Sequence, residues 1–393
     1  MNKEKSFWSK NFTLLLLSNA LLFLAFEMLV PTLPLLVESI GSGPSQVGMT
    51  IGIFTLSALV ARPFCYALTF YLDKKYLLII GVLITFLSTW GYLLSTNLTS
   101  LIVLRLVHGF GFGIATTFFA TLASEQLPHN RMGEGIGYFG VGETISMSIG
   151  PMIGIALLNK YDFDGLFTSG AAILFIAVLL VFGITRKRMN ITPIRDNASK
   201  KITYKLFKKK VLPQSLLIFF IGLVVSGVIT YISLFAKHQG ITNVAWFFFI
   251  SALTGILIRV ASGKIFDKKG PSYVLIPSGI SLIIGIVLVA NSYSELLLNI
   301  AGIFYGVAFG AIFPAIQAWV LNIVEPRDRE DAMSTFYNCF DIGIGVGAML
   351  LGLVVQATSY KTMFLLSTIF VIAFMSLTIY LGRNSKAHAS QNS

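Results

Sequence analysis

Twelve apolar stretches, each about 19–27 residues long, run through this chain with short polar segments between them. A helix rises 1.5 Å per residue, so roughly 20 apolar residues cover the hydrocarbon core of a bilayer. The stretches predict spans at about 12–37, 46–70, 77–95, 100–123, 133–157 and 165–185, then at about 213–235, 243–263, 273–291, 296–322, 333–356 and 362–381. Of the 393 residues, 55% are apolar and only 12% are charged. A soluble fold of that composition lacks the polar residues to cover its own exterior. The expected class is an all-α membrane protein of twelve transmembrane helices. The first stretch is too long for a cleaved signal peptide, and no small-residue cleavage site follows it.

Lysine and arginine orient the spans. With the N-terminus inside, the inner segments carry Lys3, Lys5, Lys10, Lys74, Lys75, Arg131, Lys264, Lys268, Lys269, Arg327, Arg329, Arg383 and Lys386, and the link between the sixth and seventh spans adds ten more from Arg186 to Lys210. The outer segments carry only Lys160, Lys237 and Lys361. This bias places both termini in the cytoplasm and the chain in a bacterial-type inner (plasma) membrane. It also explains the net charge of +12 without nucleic acid as a partner. A basic run beside twelve apolar spans reads as a topology signal resting near anionic lipid. Cys65 and Cys339 lie in different spans with no CxxC or histidine cluster, so neither a disulfide nor a metal site is expected.

The chain repeats itself. Arg62 recurs as Arg259, Gly109 as Gly306 and Gly113 as Gly310, each 197 residues on; Arg131 recurs as Arg329 and Glu143 as Asp341, each 198 on. Corresponding positions on corresponding spans indicate duplication. The expected domains are a six-helix bundle at 1–185, a basic cytoplasmic linker at 186–212 and a second bundle at 213–393. Parallel halves imply a pseudo-two-fold axis along the membrane normal and a substrate site at the midplane between them.

Several motifs resemble those of the major facilitator superfamily. Gly263, Asp267 and Gly270 after the eighth span, interleaved with Lys264, Lys268 and Lys269, are similar to its Gly-x-x-x-Asp-x-x-Gly signature loop. In the first half Tyr66, Phe70 and Asp73 stand at those places, although Arg62-Pro63 and Lys74-Lys75 remain. Arg105, His108, Gly109, Gly111 and Gly113 resemble the family's fourth-helix motif, with His in place of Gln. Gly137, Gly150, Pro151 and Gly154 are similar to the fifth-helix motif of the drug:proton antiporter branch, with Ser146 where another Gly is usual. The resemblance implies two pseudo-symmetric bundles and transport by alternating access. In this reading Arg62, Gly109, Gly113, Gly150, Pro151, Gly154, Gly263, Asp267 and Gly270 serve conformation. Gly150-Pro151 is expected to bend the fifth helix, and the small-xxx-small glycine pairs to let helices approach closely.

A charged group at the centre of a span costs about 2.5–3.5 kcal/mol even on the mildest scale, so it needs a partner or a task. Glu27, Arg105, Glu143 and Asp341 are such groups. Glu27 shares a helix face with Asn19, Phe23, Pro31 and Pro34, and burial favours its protonated form. It is the expected proton or cationic-substrate site, against a structural carboxyl bonded to a neighbouring helix. The acidic residue that drug antiporters often carry in the first helix points the same way. Arg105 keeps its charge and is expected either to tune a nearby carboxylate or to form a structural pair. Glu143 and Asp341 are expected either to carry protons or to bond across the interface between halves. His108 titrates near neutrality when unperturbed and is a further coupling candidate beside the reading of a satisfied polar contact.

Tyr305, Phe309, Phe313 and Gln317 recur every four residues on the tenth span. The glutamine suggests that this stripe faces the interior and lines a pocket, with Tyr231 on the seventh span as a further candidate. The expected function is proton-coupled efflux of small amphipathic compounds by a monomer, with no cofactor and no enzymatic activity. Two alternatives stay open: export of one metabolite or metallophore, for which Arg105 and His108 would suit an anion, and nutrient symport. A non-transporting membrane sensor would not require titratable groups at the midplane.

Overall fold

The computed structural model describes residues 8–127, 132–185, 207–325 and 328–391. Arg131 and most of the basic link, 186–206, lie outside the described residues. The described chain is helical throughout: α1 (Lys10–Leu29), α2 (Leu33–Ser39), α3 (Pro44–Leu68), α4 (Lys74–Gly91), α5 (Leu98–Glu125), α6 (Met132–Phe182), α7 (Leu212–His238), α8 (Ala245–Lys269), α9 (Ser272–Ala290), α10 (Glu295–Asn322), α11 (Arg329–Ala357) and α12 (Tyr360–Gln391). Side-chain caps set several starts. Ser9, Asp73, Asn97 and Ser294 each accept a backbone N–H of the following first turn.

The helices map onto the twelve predicted spans with two departures. The first span is two helices, because Pro31 and Pro34 lack the N–H groups that a continuous helix needs there. The fifth and sixth spans are one 51-residue element, α6, broken at Asp162 (φ 56°, ψ −167°). A straight helix of that length would run about 77 Å, more than twice a bilayer core. It is a hairpin instead. Its first arm follows α1 from Asn19, which bonds Glu143, up to Met28, which packs on Gly154; its second arm returns so that Thr185 bonds Asn11. Ten helical segments among the described residues are long and apolar enough to cross a bilayer, and α8, bent by 41° at Arg259–Ala261, makes an eleventh. The α6 hairpin counts twice, giving twelve.

Two local expectations are corrected. α6 runs helical through Gly150-Pro151, where a bend was expected, and its break lies eleven residues on at Asp162. α1 packs along that arm beside the hydrogen bond that Pro151 cannot make. The signature segment is helix rather than loop: α8 continues through Gly263 and Asp267 to Lys269, and only Gly270, at φ 89°, turns the chain into α9. Arg62 and Arg259 accordingly sit inside α3 and α8.

Small residues set the tightest crossings. A Cβ on Gly113 would fall 2.5 Å from the Ala58 carbonyl oxygen of α3, and one on Gly310 would fall 2.5 Å from the Gly255 Cα of α8. The repeat thus builds the same close contact twice, α3 on α5 and α8 on α10. Between the halves, α3 lies along α11 and α6 lies along α8.

The apolar core is asymmetric across the membrane. Met28, Leu29, Leu33, Val37, Ile155 and Leu158, at the far ends of α1–α2 and the first arm of α6, belong to the same buried cluster as the second half. Phe12, Leu15, Cys65, Phe119, Leu127 and Val181, at the ends nearest the chain terminus, form a separate cluster. The halves are therefore fused on the side away from the termini and share no core on the terminal side.

Candidate functional site

Glu27 sits two residues before α1 ends, at the level where the core becomes common to both halves. It is 9% exposed, and no hydrogen-bond or ion-pair partner among the described residues meets its carboxyl. Gly150 of α6 makes room for it, since a Cβ there would lie 2.5 Å from the Glu27 Cβ. Tyr305 of α10 is within electrostatic reach from the other half. A buried, unpaired acid facing across the seam has no structural bond to explain its place in hydrocarbon.

Next to it along the chain, an aromatic cluster joins α1, α3 and α5. Phe26 stacks on Phe54 of α3 at 4.9 Å and leans on Phe112 of α5 at 4.7 Å, and Phe23 meets Phe112 edge-on at 5.4 Å. The Arg105 guanidinium lies 4.2 Å from the centre of the Phe54 ring. Its Nε donates to the Thr50 carbonyl at 3.2 Å, while its buried Nη1 has no partner. His108 Nδ1 lies 2.8 Å from the Tyr92 hydroxyl, and its Nε2 is also buried without a partner. The expected carboxylate beside Arg105 is absent among the described residues. An aromatic face and a backbone carbonyl hold the guanidinium instead.

On the second half, Tyr305 stacks on Phe309 at 6.3 Å, and Phe309 meets Phe313 at a tilt, 5.6 Å away. Tyr305 meets Phe247 of α8, and Phe313 meets Phe336 and Phe340 of α11, so the stripe faces protein and not lipid. Gln317 approaches the Tyr337 hydroxyl. Tyr231 is fully buried, and its hydroxyl donates to the Ala348 carbonyl at 2.7 Å, with the Pro44 carbonyl at 3.3 Å. In this arrangement Tyr231 ties α7 to α11 and α3 and is not free to meet a substrate.

A second polar layer lies nearer the terminal side. Asn19 donates to Glu143 at 2.9 Å within the first half. Asp341, its repeat counterpart, instead bonds across the seam to Arg62 at 2.6 Å. The same guanidinium donates to Asn338 at 2.6 Å. Tyr337 is within electrostatic reach of both Glu143 and Asp341, which places it between the layers of the two halves. The expectation of bonds across the interface thus fits Asp341 and not Glu143. Gly263 and Asp267 are exposed and touch neither layer.

Phe26, Phe54, Phe112, Tyr337 and Asn338 were not foreseen. Phe26 adjoins Glu27 and Tyr337 lies four residues before Asp341, which is a usable signal. With 33 phenylalanines in the chain, nothing distinguishes Phe54 or Phe112 by sequence.

Comparison with known proteins fits this geometry. The Multidrug resistance protein MdtG of Enterobacter lignolyticus is 24% identical over 93% of this chain and 90% of its own. The Staphylopine export protein of Staphylococcus aureus is 23% identical over 91% of this chain and 92% of its own. Among solved structures, a bacterial homologue of the human lysosomal transporter Spinster, inward-facing and unoccupied, superposes with a TM-score of 0.78 at 15% identity, covering 97% of this chain and 98% of that one. The sequence profile of the Major Facilitator Superfamily matches residues 15–311 and again 270–393. With twelve spans, a duplicated seam and that match over nearly its whole length, the chain belongs to the Major Facilitator Superfamily.

Proposed function

We propose that this protein exports small amphipathic compounds from the cytoplasm in exchange for protons. The lysine and arginine bias makes the terminal side cytoplasmic. The fused core then closes the site to the outside, and substrate enters between the halves from within. The observation that carries the reading is the Glu27 carboxyl, buried where the core becomes common to both halves and with no protein partner among the described residues, next along α1 to the aromatic cluster of Phe23, Phe26, Phe54 and Phe112. Aromatic walls with one acid suit an apolar body bearing a positive charge. Substrate displaces the Glu27 proton from the inside, the halves rock, and a proton from outside releases the substrate. The relatives named for multidrug resistance and for staphylopine export support efflux as the direction.

Purified protein in proteoliposomes with an imposed pH gradient tests this. Efflux of a lipophilic cation is expected to follow the gradient in the wild type and to fall at least tenfold in Glu27→Gln. Full gradient dependence in that variant would remove Glu27 as the carrier. A second reading has its own observation: Arg105 Nη1 and His108 Nε2 are buried without partners and would receive an acidic group. Competition by a carboxylated analogue, lost in Arg105→Gln, would favour export of an anionic metabolite or metallophore.

A further inference from the structure

The repeat that relates Arg62 to Arg259 also relates Asp341 to Glu143. In the structure, one of the two cross-pairs is made and the other is not. Arg62 of α3 holds Asp341 of α11 across one seam at 2.6 Å. At the pseudo-symmetric seam, α6 packs on α8, yet Glu143 of α6 is held by Asn19 of its own half. Among the described residues Arg259 of α8 meets no carboxylate, and its buried Nε has no hydrogen-bond partner. α8 bends by 41° immediately after Arg259. A half-buried guanidinium with no counter-charge is disfavoured inside a span, and meeting that charge elsewhere in the cycle would offset the cost.

We infer that Glu143 and Arg259 form an ion pair across α6 and α8 in the state that closes the cytoplasmic side, Glu143 leaving Asn19 as the halves rock. Arg259 is then a positioning residue for the transport cycle. The pair is the counterpart of Arg62–Asp341. That bond persists in the present state because α3 and α11 stay together, whereas the α6–α8 seam is the one that opens. The groups around Glu143 agree with a shared role: Asn19 from α1 and Tyr337 from α11, the latter also within electrostatic reach of Asp341, which Arg62 already neutralises. Around Arg259 no acidic group among the described residues competes. The pair requires the carboxylate form of Glu143, so a proton there would hold the seam open. The inference rests on the alternating access of the proposed function, and on neither the substrate nor Glu27.

Spin labels at Tyr138 of α6 and Ile265 of α8, both exposed, report this seam. With Cys65 and Cys339 replaced by serine, double electron–electron resonance in proteoliposomes should show a short-distance population that grows as pH rises. Arg259→Gln and Glu143→Gln should each reduce it at least fivefold and abolish its pH dependence. The swap Glu143→Arg with Arg259→Glu should restore it, and Asn19→Ala should enlarge it. Unchanged distance distributions in both single variants would overturn the inference. Should Arg259→Gln misfold, the swap decides: a folded swap without the short population rejects the pair, and one with it supports the pair. A wild type with no proton-driven efflux would defeat the proposed function while leaving this distance test intact.

Discussion

Gly150 shows how one residue can matter to a carboxyl on another helix. Its missing side chain is the space into which the Glu27 stem fits, at 2.5 Å from where a Cβ would stand. Gly150→Val must either push α1 away from α6 or turn Glu27 from the seam. Overpacking of this kind costs about 1–3 kcal/mol. The expected result is a folded protein whose melting temperature drops by a few degrees and whose proton-driven transport is lost. Gly150→Ala should be milder in both respects, and equal transport in Gly150→Val and the wild type would show that the contact is incidental. Much at this scale was legible in the sequence. Glu27, Arg105, Glu143 and Asp341 stand out because charge is rare in apolar runs. Their partners were not legible, since a Thr50 carbonyl or a Phe54 face carries no mark in sequence. The structure accordingly gives Arg105 a ring where a carboxylate was expected.

At the scale of helices, hydropathy located every span within a few residues, because length and apolarity are what the bilayer demands. It failed where backbone chemistry decides. Proline was expected to bend the helix at Gly150-Pro151, yet the backbone stays helical there and breaks instead at Pro31 and Pro34 of the first span. In α6 the packing of α1 along the arm outweighs one lost hydrogen bond. The repeat, read from spacing, relates Asp341 to Glu143, but only coordinates could show that one bonds across the seam and the other does not. The α3–α11 seam invites a direct measurement. Arg62 and Asp341 are 19% and 28% exposed, between the surface and buried cases. Arg62→Gln is therefore expected to destabilise by about 1–3 kcal/mol. Arg62→Lys keeps the charge but cannot reach Asn338 and Asp341 together, so it should recover part of the loss. Thermal unfolding in detergent, compared with Asp341→Asn, checks this. If the ion pair carries the effect, the double variant should lose little more than either single one.

The whole molecule is closed at one end by two different means. Behind the common apolar core, at the mouth of the seam, Glu38 after α1 bonds two residues at the end of α7: Lys237 at 2.5 Å and His238 at 3.0 Å. His238 in turn lies against the Tyr360 ring at 5.2 Å. The two means differ in strength. The core removes Met28, Leu29, Leu33 and their partners from solvent over a broad area. Both contacts are solvent-exposed, with Lys237 60% and His238 55% exposed, so the Lys237 ion pair is worth about 0.2–1 kcal/mol and is screened by salt, and the His238 contact is an ion pair only when its imidazole is protonated. The pairs therefore bias the equilibrium between access states without determining it. Glu38→Gln is expected to raise the outward-open fraction about two- to fivefold at low ionic strength, read as faster modification of an engineered cysteine at Phe54 by a membrane-impermeant reagent added outside. At about 1 M salt, where the Debye length falls to about 3 Å, wild type and variant should converge. By contrast, Leu29→Ser or Leu33→Ser in the shared core should raise the same rate at every salt concentration, because the area they help to bury is not electrostatic. A Glu38→Gln effect that persists undiminished at high salt would mean that Glu38 acts on the gate through packing and not through charge.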